Sequence, residues 1–465
     1  MGFALTLIYI VITILSPNQF GQDFADYHPM VYLAAVTSIA SLPSIFANAQ
    51  MRSSIQTRLV FGFIATIALS EIANGWFGGA IAALRDILPG AAIFFFIVTN
   101  VTTTRRLKIT ILVAVGTCLA LSLEALSGYY GHFHRDLFVL FGDGQLQRLR
   151  AAGTLNDPND FAQMLLIALS LTFAAWNGRR VALNSLIVFV PSALLLWAIY
   201  LTHSRGALIA LGVLILMMSR RKIGSLPSVA LAGCLVFGMM ALNFTGGRGI
   251  SSADGSDRLE LWSEGLQLFK RAPLFGVGFG RFTEFSDLTA HNSFVLCLAE
   301  LGLVGSTIFV ALLVTTLMGL KESIESQEEV GGQPTALPEN TAEERSTASE
   351  GEPLSPEVES DIAAGIWSDV GTDIAVEVSG DPEKIGMNQL LAPMRLAVIS
   401  FIVTGFFLSR SYNITMFLAV GLATAAIALA PHALRFRDGR RWRRATLIAE
   451  LSAIAFVYCI ARFRH

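Results

Sequence analysis

Apolar runs of spanning or near-spanning length recur along most of the chain. They lie at about 3–16, 28–47, 58–75, 77–100, 109–127, 160–177, 181–201, 205–219, 226–244, 292–318, 394–410, 411–431 and 445–461. A hydrocarbon core of about 30 Å is crossed by roughly 20 apolar residues in a helix. The pattern therefore predicts an all-α polytopic membrane protein with about 12–13 transmembrane helices. The runs at about 3–16 and 205–219 are short for a full span. The first run lacks a basic leader and a small-residue cleavage site and reads as a retained helix.

The polar stretches between the runs differ in kind. Short basic loops carry Arg52 and Arg58, then Arg105, Arg106 and Lys108, then Arg179 and Arg180, then Arg220, Arg221 and Lys222, and finally the stretch Arg435 to Arg444. These alternate as cytoplasmic loops should, which predicts a cytoplasmic N-terminus. The other side then receives two long polar loops, 128–160 and 245–291. The tail Arg462–Arg464 falls on that side too if the last run spans, against the charge rule. Residues 321–392 are rich in Glu, Ser, Pro and Gly and poor in large apolar side chains. Such a segment buries too little surface to offset its ordering entropy, so a disordered cytoplasmic insert is expected there. The chain thus divides into N-terminal transmembrane helices (1–127), a core with the two outer loops (128–320), the acidic insert (321–392) and C-terminal transmembrane helices (393–465).

Composition sharpens this reading. Of 465 residues, 53% are hydrophobic and only 15% charged, and mean hydropathy is +0.59. A soluble domain carries about 25% charged residues, so a soluble enzyme, a fibrous protein and a disulfide scaffold are excluded. The net charge of −2 is uneven: residues 321–384 hold 17 acidic and 3 basic side chains, which leaves the membrane body at +12. A basic body suits anionic lipid head groups or phosphate-bearing substrates. Cys118, Cys234, Cys297 and Cys459 each lie in an apolar run without metal-type spacing, and all four are expected to be buried packing residues.

The unusual residues concentrate in the outer loops. The first contains Arg148, Arg150, Gly153 and the turn-rich run Asn156–Asp160 leading into a helix, with Asn159 or Asp160 expected as its N-cap. Two arginines on a side that should be poor in positive charge suggest anion binding. His203-Ser204-Arg205-Gly206 follows between two apolar runs, where Arg205 either snorkels to head groups or faces a polar cavity. In the second loop, Arg258 to Phe269 has the apolar spacing of an interfacial amphipathic helix. Gly276, Gly278 and Gly280 do not form a dinucleotide loop, because Arg281 stands where a third glycine belongs and no strand precedes it. They predict a tight turn with close backbone approach. His291-Asn292 opens the next run, where His291 is a candidate general base. Glu300, inside that run, should face protein or water and have a partner. Arg85-Asp86 reads as an ion pair within the bundle.

Four pieces, in order and on one side of the membrane, carry a resemblance. They are Arg150 to Asn159, Ser204–Gly206, the loop DRLELW…PLFGVGFG, and AHNSFVLCLAELGLVG. Together they resemble the O-antigen ligase and Wzy-type polymerase superfamily over about 150–318. The resemblance implies a GT-C-like multi-helix fold and a glycosyltransferase that uses no metal and no cofactor. It implies a polyprenyl-pyrophosphate-linked glycan donor, a glycan or lipid A core acceptor, and a site on the outer face of a bacterial cytoplasmic membrane. Membrane lipid is the remaining partner, and nucleic acid is not expected. Ligase and repeat-unit polymerase for O-antigen or exopolysaccharide both remain open. The matching residues imply pyrophosphate binding by Arg150, Arg205 and Arg258 and a catalytic role for His291. Arg148, Arg281, Asn159, Asn292 and Glu300 are auxiliary candidates. Charge supports these roles, because fixed guanidinium forks neutralise a departing pyrophosphate.

Two other classes stay in view. A transporter or flippase of a lipid-linked or anionic substrate would place ionisable groups near the midplane of interrupted helices, for which Arg85, Asp86 and Glu300 are the hints. A scaffold recruiting partners through the acidic insert explains that insert but not the outer arginines or His291.

Overall fold

Each of the thirteen apolar runs carries a helix. The computed structural model describes residues 1–15, 29–48, 54–131, 134–141, 146–176, 181–241, 252–332, 382–430 and 439–462. The longer helices are α1 (Gly2–Leu15), α2 (Pro29–Ala47), α3 (Ile55–Ala73), α4 (Phe77–Asn100), α5 (Thr104–Gly131), α6 (Pro158–Thr172), α7 (Val190–Thr202), α8 (Arg205–Ile223), α9 (Ser225–Ala241), α10 (Ser252–Arg271), α11 (Ser293–Gly332), α12 (Pro382–Gly405), α13 (Ile414–Leu429) and α14 (Gly439–Arg462). A two-stranded antiparallel hairpin, β1 (Val139–Phe141) and β2 (Gln147–Leu149), adds a small element to the first outer loop. The chain is an all-α polytopic membrane protein. Among the described residues, six helices are long and apolar enough to cross a membrane, namely Met30–Ala47, Ile55–Ala73, Phe77–Asn100, Thr104–Gly131, Ala182–Thr202 and Ser293–Gln327.

Two short helices form the centre. Every residue of α6 from Asp160 to Thr172 is buried, as is α13 from Ile414 to Ala426. Protein rather than lipid surrounds them, so their polar side chains must pair internally. Gln163 does so at both ends of its amide, donating to Thr404 Oγ1 at 2.7 Å and accepting from Thr415 Oγ1 at 3.0 Å. That one side chain joins α6, α12 and α13. Asn100 is a second knot, donating to Thr6 Oγ1 and Ser41 Oγ and so joining α1, α2 and α4. Outward-facing positions such as Phe46, Phe61, Ile81, Leu112, Phe237 and Ile448 are exposed and apolar, which suits contact with lipid chains.

Helix α11 is broken. Gly302 has φ 63° and ψ −163°, far from helical values. The loop after α10 fills the break. Val277 N–H donates to the Ala299 carbonyl at 3.0 Å and Gly278 N–H to the Glu300 carbonyl at 3.2 Å. In return, Leu303 N–H donates to the Pro273 carbonyl at 2.8 Å and Val304 N–H to the Leu274 carbonyl at 3.2 Å. Unpaired backbone groups inside a bilayer cost several kcal/mol each, so these four bonds make the break tolerable. The close backbone approach expected of the glycine turn is made here: a Cβ on Gly276 would lie 2.2 Å from the Glu300 carbonyl carbon. Helix α3 clamps the junction. The Ser70 hydroxyl lies 2.6 Å from the Phe275 carbonyl oxygen and 2.7 Å from that of Glu300, and Asn74 Nδ2 donates to the Gly276 carbonyl at 2.9 Å.

The amphipathic segment of the second loop is helical over Ser252–Arg271. Its Leu261, Leu266 and Leu268 share a buried cluster with Val295, Leu298 and Val457, the last from α14. The last helix thus runs from Arg441, which pairs with Glu322 at 3.8 Å, to the α10 layer, and so traverses the bundle.

Several expectations are corrected. Asp157, not Asn159 or Asp160, caps α6: its carboxylate accepts from Asn159 N–H at 2.7 Å, because the helix starts at Pro158, two or three positions earlier than expected. Arg85 and Asp86 are both exposed, since adjacent residues on a helix do not face each other. Cys118 and Cys297 are buried, but Cys234 and Cys459 lie on outward faces of α9 and α14. Helix α11 continues to Gly332 and α12 begins at Pro382, inside the interval assigned to the acidic insert. The rest of that insert, 333–381, lies outside the described residues, as do Arg52, Arg179, Arg180, 242–251 of the second outer loop, and Arg464.

Candidate active site

The connection between α12 and α13, residues 406–413, brings the separate sequence motifs together. Gly206 packs on Phe407 so closely that a Cβ there would lie 2.9 Å from the phenylalanine Cβ. The Ser293 hydroxyl donates to the Leu408 carbonyl at 2.6 Å and accepts from Arg410 N–H at 3.0 Å, while Ser411 Oγ donates to the Ser293 carbonyl at 2.6 Å. The Arg410 guanidinium forks onto Asp160, with Nε to Oδ1 at 2.6 Å and Nη2 against Oδ2. The Tyr412 ring stands 4.8 Å from that of Phe279 in the glycine loop. One eight-residue connection therefore touches the α6 start, the Ser-Arg-Gly turn, the His291 region and the glycine loop.

His291 sits just ahead of α11 in a left-handed conformation, φ 46°. Asn292 caps that helix, its Oδ1 accepting from Phe294 and Val295 N–H at 2.9 and 3.2 Å. The amide oxygen of Asn292 thus has a structural role. Burial, with the positive charge of Arg258 second, holds the His291 imidazole below its ordinary range; Asp157 opposes this and Arg410 adds to it. Burial and the Arg258 charge both favour the neutral ring, the form able to accept a proton. Among the described residues, the other two non-glycine residues with positive φ are also histidines of this face, His134 and His203.

The arginines divide by what holds them. Arg148 is buried and stitches β2 to two helix ends, donating from Nε to the Thr202 carbonyl at 3.0 Å and from Nη2 to Asn159 Oδ1 at 3.1 Å. Arg148 and Asn159 thus brace each other. Arg150 donates to the Asp136 and Asn156 carbonyls at 2.6 and 3.3 Å. Carbonyl partners orient a guanidinium without cancelling its charge, so Arg150 keeps its attraction for an anion. Arg205 opens α8 beside Ser204, whose Oγ accepts from Ala207 N–H at 3.4 Å. Arg258 lies on α10, near enough for its charge to act on His291.

Arg281 and Glu300 belong to the glycine loop instead. Arg281 pairs with Glu284 at 2.8 Å and lies 6.0 Å from the Trp76 ring centroid. Glu300 is buried, and its Oε1 accepts from Phe282 N–H at 3.1 Å. The partners of this carboxylate include the loop's backbone amides at Phe282 and Gly280 and the Tyr412 side chain, so it ties the loop to the α12–α13 connection. Among the described residues, no group of three or more His, Cys, Asp and Glu side chains is placed to hold a metal ion.

Arg410 is the residue that sequence reasoning missed. Two apolar runs abut at this position, so no loop was visible there. The available signal was the one that singled out Arg148 and Arg150, a positive charge on the wrong side of the membrane.

No curated protein sequence matches the chain. Residues 190–310 match the Wzy_C family model, described as O-Antigen ligase. The matched stretch contains Ser204–Gly206, Arg258, the glycine loop, His291 and Glu300, and leaves Arg150 and Arg410 outside. The similarity to that O-antigen ligase family thus spans residues 190–310, about a quarter of the chain.

Proposed function

We propose that this membrane protein transfers or polymerises a glycan from a polyprenyl-pyrophosphate donor, inverting the anomeric centre and using no metal. The site faces the outer side of the cytoplasmic membrane. The observation that carries the reading is a half-buried His291, its imidazole held below the ordinary range by burial and then by the charge of Arg258, on the face where the Arg150 and Arg205 motifs also meet. The acceptor hydroxyl attacks the anomeric carbon as its proton passes to the imidazole. The bond from that carbon to the phosphate oxygen breaks, and its electron pair leaves with the pyrophosphate. Arg150 and Arg205 hold that leaving group with Arg258 assisting, since guanidinium charge stabilises it most as the bond breaks.

The test is transfer by purified protein in detergent with chelator present, a mixed polyprenyl-pyrophosphate glycan pool as donor, and acceptors offered one at a time. Product on a lipid A core acceptor identifies a ligase, and a ladder of lengthened donor a polymerase. Turnover that requires added metal contradicts the metal-free step.

One observation favours the transporter reading: α11 is interrupted next to the buried Glu300, as helices at transport sites are. Here, however, residues 273–278 occupy the break with their own backbone. Donor crossing vesicle membranes, with no product on any acceptor, would favour transport.

The lowered pKa of His291 gives a pH expectation. A base must be unprotonated, and this one loses its proton more readily than an ordinary histidine, at about 6.5. The kcat/KM should therefore stay level from pH 8 down past about 6.5 and fall only as pH drops through the lowered value. A falling limb centred above pH 7 contradicts the assignment. Replacing residues 333–381 by a short linker should leave turnover intact, whereas a scaffold acting through that segment would lose its role.

A further inference from the structure

We propose that Arg410 is a phosphate-binding residue of this site, presented to the substrate by the buried carboxylate of Asp160. The inference rests on the glycosyl-transfer reading above and extends it to a residue outside the matched segment.

The asymmetry of the ion pair is the first argument. The Asp160 side chain is 1% exposed and that of Arg410 is 37% exposed. A pair serving only to join two helices gains little from burying its acid, because an apolar contact of equal volume is about as stable. Here the acid is buried and the base lies toward the open side. The fork onto Asp160 uses Nε and one terminal nitrogen, and a guanidinium has five N–H donors. The remaining donors are on the edge away from the carboxylate, held rigidly in one plane. That is the geometry for a second planar or tetrahedral anion.

The second argument is independent of the pair. The backbone around Arg410 is fixed to Ser293 by three hydrogen bonds of 2.6 to 3.0 Å. Ser293 is two positions from His291. Backbone and side chain are thus tied to different helices, α11 and α6, which removes most of the freedom of a long side chain before substrate arrives. An arginine ordered in advance loses less entropy on binding than a flexible one. Asp160 also offsets one positive charge among Arg258, Arg410 and their neighbours, so they can be crowded together before substrate binds.

The experiment measures binding of glycan-free polyprenyl pyrophosphate to the full-length protein in detergent, beside the transfer assay. Arg410→Gln should weaken binding about tenfold or more, as expected for a charge-assisted bidentate contact. It also leaves Asp160 without its partner, so the informative variant is Asp160→Asn with Arg410→Gln. This double change removes both charges and lets two amides pair. It should restore wild-type thermal stability and leave binding as weak as in Arg410→Gln. Arg410→Lys, which keeps the charge but not the fork, should fall between. Wild-type affinity in the double variant would reduce Arg410 to a structural partner of Asp160 and overturn the proposal. Should the double variant not fold, unchanged affinity in Arg410→Lys would overturn it equally. Failure of the wild-type protein to bind the lipid overturns the proposal together with the reading beneath it. Wild-type transfer and binding that no Arg410 variant alters overturns the proposal alone.

Discussion

Replacing His291 by asparagine is expected to reduce transfer by a factor of about 10²–10⁴, the range for loss of a positioned general base, while the protein remains folded. Asparagine is the informative choice. Residue 291 adopts φ 46°, a conformation that asparagine tolerates and β-carbon-bearing residues in general resist. Alanine would add backbone strain to the chemical loss and blur the two. Asparagine keeps a polar side chain ahead of the Asn292 cap but has no group that takes a proton near pH 7. The loss should appear in kcat with little change in donor affinity, because the base acts on the acceptor hydroxyl and not on the pyrophosphate. Full activity in His291→Asn removes the base assignment. A fall in donor affinity of the same size as the fall in rate reassigns His291 to binding.

The second large effect concerns the glycine loop, and two of its glycines provide a matched pair. Gly276 and Gly280 have nearly the same backbone angle, φ 70° and 71°. A Cβ at Gly276 would lie 2.2 to 2.5 Å from the backbone of Glu300 and Leu301, whereas at Gly280 it would meet nothing within 4 Å. Alanine at either position bears the left-handed penalty of about 1–2 kcal/mol. Only alanine at 276 must also push two backbones apart, which costs about 1–3 kcal/mol more, or prevents docking. Gly276→Ala is therefore expected to lose most folded protein on purification, and Gly280→Ala to remain folded with only the smaller loss of stability set by the left-handed penalty. Gly302→Ala should resemble Gly276→Ala, since its Cβ would lie 2.5 Å from the Leu274 carbonyl. Thermal unfolding in detergent reads all three. Equal stability of the 276 and 280 variants would mean that the loop does not fill the break in solution.

The helices were legible in the chain because apolar length is set by bilayer thickness, a constraint that acts on each segment alone. The glycine turn was legible for a related reason: close backbone approach leaves only one residue type able to serve. What escaped reading depends on partners distant in sequence. Nothing local marks Asp160 as the partner of Arg410, 250 residues away. Nothing local shows that Arg148 is a brace while Arg150, two residues on, keeps its charge available; the strand pairing of β2 and the helix ends it faces decide that. The α6 cap was misplaced for the opposite reason. The local rule was right, but Pro158 moved its register by a few positions. Cys234 and Cys459 were misjudged because an apolar run does not say which side meets lipid and which meets protein.

The filled break in α11 has a consequence for biogenesis. A helix with a gap in its backbone bonding is a poor solitary traveller into hydrocarbon. The ribosome makes the filler first: residues 273–278 and Ser70 on α3 both precede Ser293–Gly332. When the broken helix emerges, the segment that completes it and the helix that clamps it already exist. Insertion of α11 is then a docking event between nascent elements, and the polar outer loop takes part in building the membrane domain before any substrate reaches it.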